Sequence, residues 1–390
     1  MPVINRIAAF HPEMTAWRRD IHAHPELGYE EHRTSGIVAT LLAEWGIEVH
    51  RGIAGTGVVG VLRNGTSSRS IGLRADMDAL PMPEETGLSY GSVHPGVMHA
   101  CGHDGHTSML LGAAKHLAET RQFDGTVVFI FQPAEEGGAG GQKMVQEGLF
   151  RRFPVDSIYA VHNDPSARLG EIQAITGPVL AAADRLDIRV TGRGGHAALP
   201  HLAVDPIMVG AQIIAGLHQV VSRRVDPLDA AVISLCQFHA GDAYNVIPDR
   251  AEIAGTVRTL RAKTQDEMER LIAQTAKGIA ALNDAEAEVN YQRGYPPTVN
   301  HAAETDRAAL AAAKVVGTDR VVRNGPPLMG GEDFAFLLLE RPGCFVRLGQ
   351  AKANRGNVPA HNTKYDFNDE LLPIGASFFA TLVEQELPRG

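Results

Sequence analysis

Apolar and polar positions alternate between two periods along the first half of the chain. Met14 to Leu27 and Glu31 to Trp45 carry the helical period, and Gly46 closes the second run. Val58 to Leu62 and Ile71 to Leu73 read as strands. Thr107 to Ala118 reads as a helix, with Met109, Leu110, Ala113, Ala114 and Leu117 on one face. Val127 to Phe131 is wholly apolar, β-branched and aromatic, the pattern of a strand buried on both faces. Ser157 to Val161 reads as another strand. Helices and strands in alternation predict an α/β domain.

From Asp184 the pattern changes. Leu186, Ile188 and Val190 alternate with polar residues, so one face of that strand is solvated. A helix follows at Asp205-Pro206, an N-cap with proline at the first helical position. Strands Ala231 to Phe238 and Ala251 to Leu260, a helix from Thr264 to Leu282 and a strand from Ala287 to Gln292 complete a βαββαβ order. That order is ferredoxin-like. After Tyr295-Pro296-Pro297 the α/β pattern returns. The expected organisation is a discontinuous domain, residues 1–183 and 295–390, with 184–294 inserted.

Composition narrows the function classes. At 390 residues the chain exceeds what one hydrophobic core usually holds. Lys plus Arg number 36 and Asp plus Glu 45, a net charge of −9. With no basic block, nucleic acid and anionic membrane surfaces are poor partners. The N-terminal residues have no apolar run ahead of their charges, and no stretch is apolar enough to span a bilayer. Cys101, Cys236 and Cys344 are odd in number and far apart, which points to a reducing, cytoplasmic setting.

Candidate chemistry lies where strands end or helices begin, the usual ligand position in open α/β sheets. In MHACGHDGH, Cys101 and His103 are two apart and share a side of an extended loop. A helix N-terminus lowers a thiol pKa, and thiolate with imidazole suits a borderline-soft divalent ion. A buried helix-entry cysteine beside solvated histidines reads equally well from that motif alone. In FQPAEEGG, Glu135 and Glu136 leave the buried strand directly, a costly placement without a cation or proton. One can bind metal while the other acts as base. His162 follows a strand, and His361 lies in PAHNTKYDF. Together these residues form a plausible two-metal set, with Glu135 left over. Asp76 and Asp78 in LRADMDALP share a face, and one can orient a ligand histidine. The run Gly55 to Gly60 fits GxGxxG, but a strand follows rather than a helix, so it reads as a hairpin entry.

RRDIHAHPELGYEE, LRADMDALP, HACGHDGH, FQPAEEGG, GRGGHAALPH, NVIPD, GTVRT, GGEDFAF and HNTKYDFNDE occur in this order over nearly the whole chain. In them the sequence resembles the aminoacylase, hippurate hydrolase and auxin-conjugate hydrolase group of metallo-amidohydrolases. The resemblance implies a zinc-peptidase-like catalytic domain, with a mixed central sheet between helices, and an inserted lid that also dimerises. It implies that Cys101, His103, Glu136, His162 and His361 hold two divalent ions (Zn, Mn, Co or Ni), and that Glu135 is the general base. It further implies that His196, Asn245 and Arg258 of the lid help to bind substrate, with His196 also aiding the oxyanion. One departure is His162-Asn163-Asp164-Pro165, where Asp164 replaces an aromatic residue.

The implied reaction cuts the amide bond of a small N-acyl amino acid, leaving a carboxylic acid and a free amino acid. Other deacylations, of a dipeptide, an N-acetyl-diaminopimelate or an auxin conjugate, share the same machinery. A protein that only stored metal or bound substrate would not need Glu135 beside Glu136. A homodimer is the expected assembly.

Overall fold

The computed structural model describes residues 3–353 and 356–389. The chain forms two compact units. One comprises Met1–Gly177, Val299–Pro326 and Asp333–Gly390; the other comprises Pro178–Thr298 and Pro327–Glu332. The short return of Pro327–Glu332 is held by backbone bonds, Leu328 N–H to Val179 O at 3.0 Å and Ala181 N–H to Gly330 O at 2.9 Å. The smaller unit is therefore wider than 184–294.

The larger unit is built on an eight-stranded mixed sheet. Its order is Glu48–Ile53, Gly57–Asn64, Gly125–Gln132, Ser70–Asp76, Ser157–Arg168, Gly343–Ala351, Ile172–Gln173, Val321–Val322. Four neighbouring strands, from Gly125–Gln132 to Gly343–Ala351, are parallel and form the middle of the sheet. Val127 to Phe131 is buried at every position, as its apolar sequence predicts. Helices His11–Ala23, His32–Glu44, His103–Thr120, Ala302–Val316 and Leu372–Glu386 contribute to one continuous core with these strands. The GxGxxG run enters the strand Gly57–Asn64, which pairs antiparallel with Glu48–Ile53, so it is a hairpin.

Two helix boundaries differ from the sequence reading for local reasons. The helix expected to reach Leu27 stops at Ala23, because Pro25 drives His24 out of the helical region, to φ −125° and ψ 60°. The helix expected from Thr107 begins at His103. Gly102 precedes it with φ 102°, and a side chain there would collide with Asn163 Oδ1 at 2.3 Å. Only glycine fits. The early start places His103 and His106 on the first turn.

The smaller unit is a four-stranded antiparallel sheet in the order Ala231–Ala240, Arg250–Thr259, Ala183–Thr191, Glu286–Tyr295. By sequence rank this is 2-3-1-4, the ferredoxin-like arrangement expected from βαββαβ. Helices Pro206–Arg224 and Ala262–Leu282 share a core with Leu186, Ile188 and Val190, while Arg185, Asp187 and Arg189 remain exposed. Asp205 caps the first of these helices, accepting the Ile207 N–H at 2.9 Å, with Pro206 beginning the turn.

Candidate metal centre

The parallel strands of the larger unit deliver side chains to one end of the sheet. The strand Ser70–Asp76 ends at Asp76, and Gly125–Gln132 leads into Glu135 and Glu136. His162 lies within Ser157–Arg168, and Cys101 and His103 flank the glycine at the helix start. His361 enters from the loop before the last helix with φ +61°, a left-handed conformation uncommon outside glycine. Its N–H donates to Ala100 O at 2.8 Å, which ties this loop to the residue before Cys101.

Potential ligand atoms converge in overlapping groups: Cys101, His103 and His162; Cys101, Glu136 and His361; His103, Glu135 and Glu136. All five residues expected as ligands, with Glu135, belong to this set. Cys101 Sγ lies 3.5 Å from His162 Nε2, and His361 Nε2 lies 3.1 Å from Glu136 Oε1. His103 Nε2 is buried without a hydrogen bond and lies 4.0 Å from Glu136 Oε1. With Asp78 on its Nδ1, His103 offers a lone pair at Nε2, and a lone pair and a carboxylate oxygen facing each other fit a shared cation. Burial, then His106, pushes the His162 pKa down to about 3, so its imidazole is a neutral donor. Burial raises the Cys101 thiol, and Glu136 adds to that, so the thiolate needs a compensating positive charge.

A layer of carboxylates backs these side chains. Asp78 Oδ1 lies 3.1 Å from His103 Nδ1, and Asp78 Oδ2 accepts the Glu136 N–H at 2.8 Å. With Asp78 on Nδ1, the opposite nitrogen of His103 faces Glu136. Asp76 meets His106 Nδ1 at 2.6 Å, and His106 Nε2 meets Asn163 Oδ1 at 2.7 Å. His106 and Asn163 were not among the residues expected from sequence. The signal for His106 was present in HACGHDGH, because it lies one turn beyond His103 on the same helix face. Arg74 is fully buried behind Asp76 and bonds Asp76, Asp333 and Gln132.

Glu135 is buried, and its Oε1 accepts the Asp333 N–H at 3.4 Å. Asp164 is buried and fully engaged. Its carboxylate accepts from Ser166 Oγ at 2.6 Å and Gln173 Nε2 at 3.2 Å, and lies 3.5 Å from Arg347 Nη1. Arg347 is also buried. Asp164 and Arg347 thus form a compensated buried pair.

His196 and Asn245 come together in the smaller unit. Gly195–His196 pairs with Val246–Ile247, and Ala197 N–H donates to Asn245 O at 3.0 Å. His196 is exposed. This ribbon sits beside Asp249, whose Oδ1 accepts the Gly194 N–H at 2.8 Å. Arg258 is not with them. It lies near the far end of the strand Arg250–Thr259, about 26 Å of extended chain from the strand's beginning.

The converging side chains could hold metal ions at one end of the sheet of this α/β unit. Residues 72–385 match Peptidase family M20/M25/M40, and the chain belongs to that family. It is 42% identical to a hippurate hydrolase of Campylobacter jejuni, over 98% of each chain. It is 40% identical to an IAA-amino acid hydrolase of Arabidopsis thaliana, over 96% of this chain and 86% of that one. Among solved structures, a dinuclear metal-binding M20 peptidase from Bacillus subtilis superposes with a TM-score of 0.85 at 35% identity, covering 97% and 99% of the two chains.

Proposed function

We propose that the chain is a metal-dependent amidohydrolase that cuts N-acyl amino acids of the hippurate type. The observation that carries this reading is the convergence of Cys101, His103, Glu136, His162 and His361, with Glu135 beside them. The full-length similarity to a hippurate hydrolase supports the substrate class. The five side chains would hold two divalent ions; Zn, Mn, Co and Ni all suit thiolate, imidazole and carboxylate. Such ions acidify water and polarise an amide carbonyl.

Glu135 moves the proton. Its carboxylate accepts a proton from water as the water oxygen bonds to the amide carbon. It then gives that proton to the amide nitrogen as the C–N bond breaks. The products are a carboxylic acid and a free amino acid. His196 is assigned to the developing oxyanion, and Arg258 with Asn245 to the substrate carboxylate, which a guanidinium and an amide suit.

A homodimer accompanies this reading. The separation of His196 from Arg258 within one chain supports a site that draws them from two chains. Exposed Leu199, Leu202, Tyr244, Val246, Val232 and Phe238 on the smaller unit favour burial against a second copy. Among the described residues no helix is long and apolar enough to cross a membrane. Free Cys101, Cys236 and Cys344 favour a cytoplasmic setting.

The test is release of free amino acid from a panel of N-acyl amino acids with Zn, Mn, Co or Ni added. Hippurate should be among the better substrates, and its methyl ester and amide should be poor ones. No release from any N-acyl amino acid with any metal would refute the function. Equal kcat/KM for hippurate, its ester and its amide would remove the carboxylate clamp.

A further inference from the structure

The segment HPELGYEE, at residues 24–31, takes no direct part in the centre, yet it grips the loop that does. That loop runs from Ala134 to Gly140 and closes on itself, with Gly140 N–H donating to Ala134 O at 3.0 Å. Glu135 and Glu136 lie inside it. Its two flanks are unusual: Ala134 has φ 51° and Ala139 φ 53°, both left-handed without being glycine. Such backbone persists only where the surroundings over-determine it.

The surroundings here are Gly28, Tyr29 and Glu31. Glu31 is buried, and its Oε1 accepts the Ala134 N–H at 2.8 Å, while Thr56 Oγ1 donates to its Oε2. Tyr29 Oη donates to Gly138 O at 2.6 Å. Tyr29 itself has φ 67°. Gly28 passes so close to Ala134 that a Cβ on it would meet Ala134 Cα and Cβ at 3.0 Å. The grip is itself anchored. Glu26 O accepts the Ala79 N–H at 2.8 Å, and the Glu26 carboxylate accepts the Arg33 and Thr34 N–H groups at 2.8 Å each. Ala79 adjoins Asp78, which holds the Glu136 N–H. One bond therefore grips the loop before Glu135 and another after Glu136, and both come from a braced segment.

We propose that Tyr29 and Glu31 are positioning residues for Glu135: by fixing both ends of the loop 134–140 they hold the backbone that aims Glu135 and Glu136 at the centre. The proposal rests on the assignment of Glu135 as base. A displaced base costs rate without weakening substrate binding, since a shift of about 1 Å in a reacting group is worth up to about 100-fold.

The test compares Tyr29→Phe, Glu31→Ala and Glu31→Gln with the full-length wild type. Readouts are kcat and KM for hippurate at saturating Mn²⁺, melting temperature, and amide exchange over residues 134–140 in metal-free protein. Tyr29→Phe should lower kcat about 10- to 100-fold with KM changed less than about threefold. Exchange should quicken in the loop and not in the helix His103–Thr120. Glu31→Gln retains an acceptor for the Ala134 N–H and should recover most of what Glu31→Ala loses. A lower melting temperature with unchanged kcat per folded molecule would show a merely structural role and overturn the proposal. So would unchanged loop exchange in both Tyr29→Phe and Glu31→Ala. If the wild type hydrolyses no N-acyl amino acid, the functional reading fails, and the exchange comparison still decides the grip.

Discussion

Asp78 and His103 meet at 3.1 Å between Oδ1 and Nδ1, in a pocket where neither side chain reaches solvent. The second oxygen of Asp78 holds the Glu136 backbone, so one carboxylate orients two of the residues assigned to the metals. Asp78→Asn keeps the shape but cannot accept on both sides. Metal affinity should fall about 10- to 100-fold. Metal titration against a competing chelator measures it, and excess metal should restore much of the turnover. Unchanged affinity would mean that Asp78 only fills space.

Glu135 and Cys101 should separate cleanly by mutation. Glu135→Gln is expected to retain its metals and lose about 10²- to 10⁴-fold in kcat. Cys101→Ala is expected to lose metal as well as turnover. Metal content measured beside kcat distinguishes them. Wild-type turnover by Glu135→Gln would assign the base elsewhere.

Much of this centre was legible in the sequence, and the illegible part has a common cause. Cys101, His103, Glu135 and Glu136 stand in short motifs at a helix start and a strand end, where local spacing already implies chemistry. The strand Val127 to Phe131 was legible because burial on both faces leaves an apolar run. The edge strand Glu48–Ile53 was not, because its largely exposed Glu-Val-His-Arg-Gly-Ile carries no such run. The pairing of Asp76 with His106 joins residues thirty apart and depends on how a helix packs over a strand. Local pattern holds no record of that distance. The same is true of Tyr29 and Gly138, whose bond spans 109 residues.

Stability should fall between neutral and alkaline pH through His22. Its Nδ1 lies 2.8 Å from Asp104 and its Nε2 3.5 Å from Glu84. Burial alone would lower its pKa, but Asp104 and Glu84 outweigh burial and Arg18 and raise it from 6.5 to about 9. A raised folded-state pKa stabilises fully below the unfolded value, and that contribution is lost as pH rises from 6.5 through about 9. The loss is at most about 3 kcal/mol. Denaturant unfolding of metal-free protein at about pH 6 and about pH 10 measures it. His22→Gln should flatten the decline; an equal decline in wild type and variant would assign it to other groups.

His196 and Glu135 should complement each other across a dimer. His196→Ala and Glu135→Ala should each be nearly inactive, the former by about 10²- to 10³-fold in kcat with metal binding unchanged. A mixed dimer, co-expressed with two tags and purified for both, has one site with Glu135 from one chain and His196 from the other. Substantial activity should return in that species. If the verified heterodimer stays as inactive as its parents, His196 acts within its own chain or does not act.

The most direct test of the central claim is metal removal. Dialysis against a strong chelator should abolish glycine release from hippurate, because Cys101, His103, Glu136, His162 and His361 converge beside Glu135 in groups that could hold metal. Adding back a divalent metal should restore turnover, rising until two ions are bound per chain. Full hydrolytic activity in protein verified to be free of metal would contradict the account.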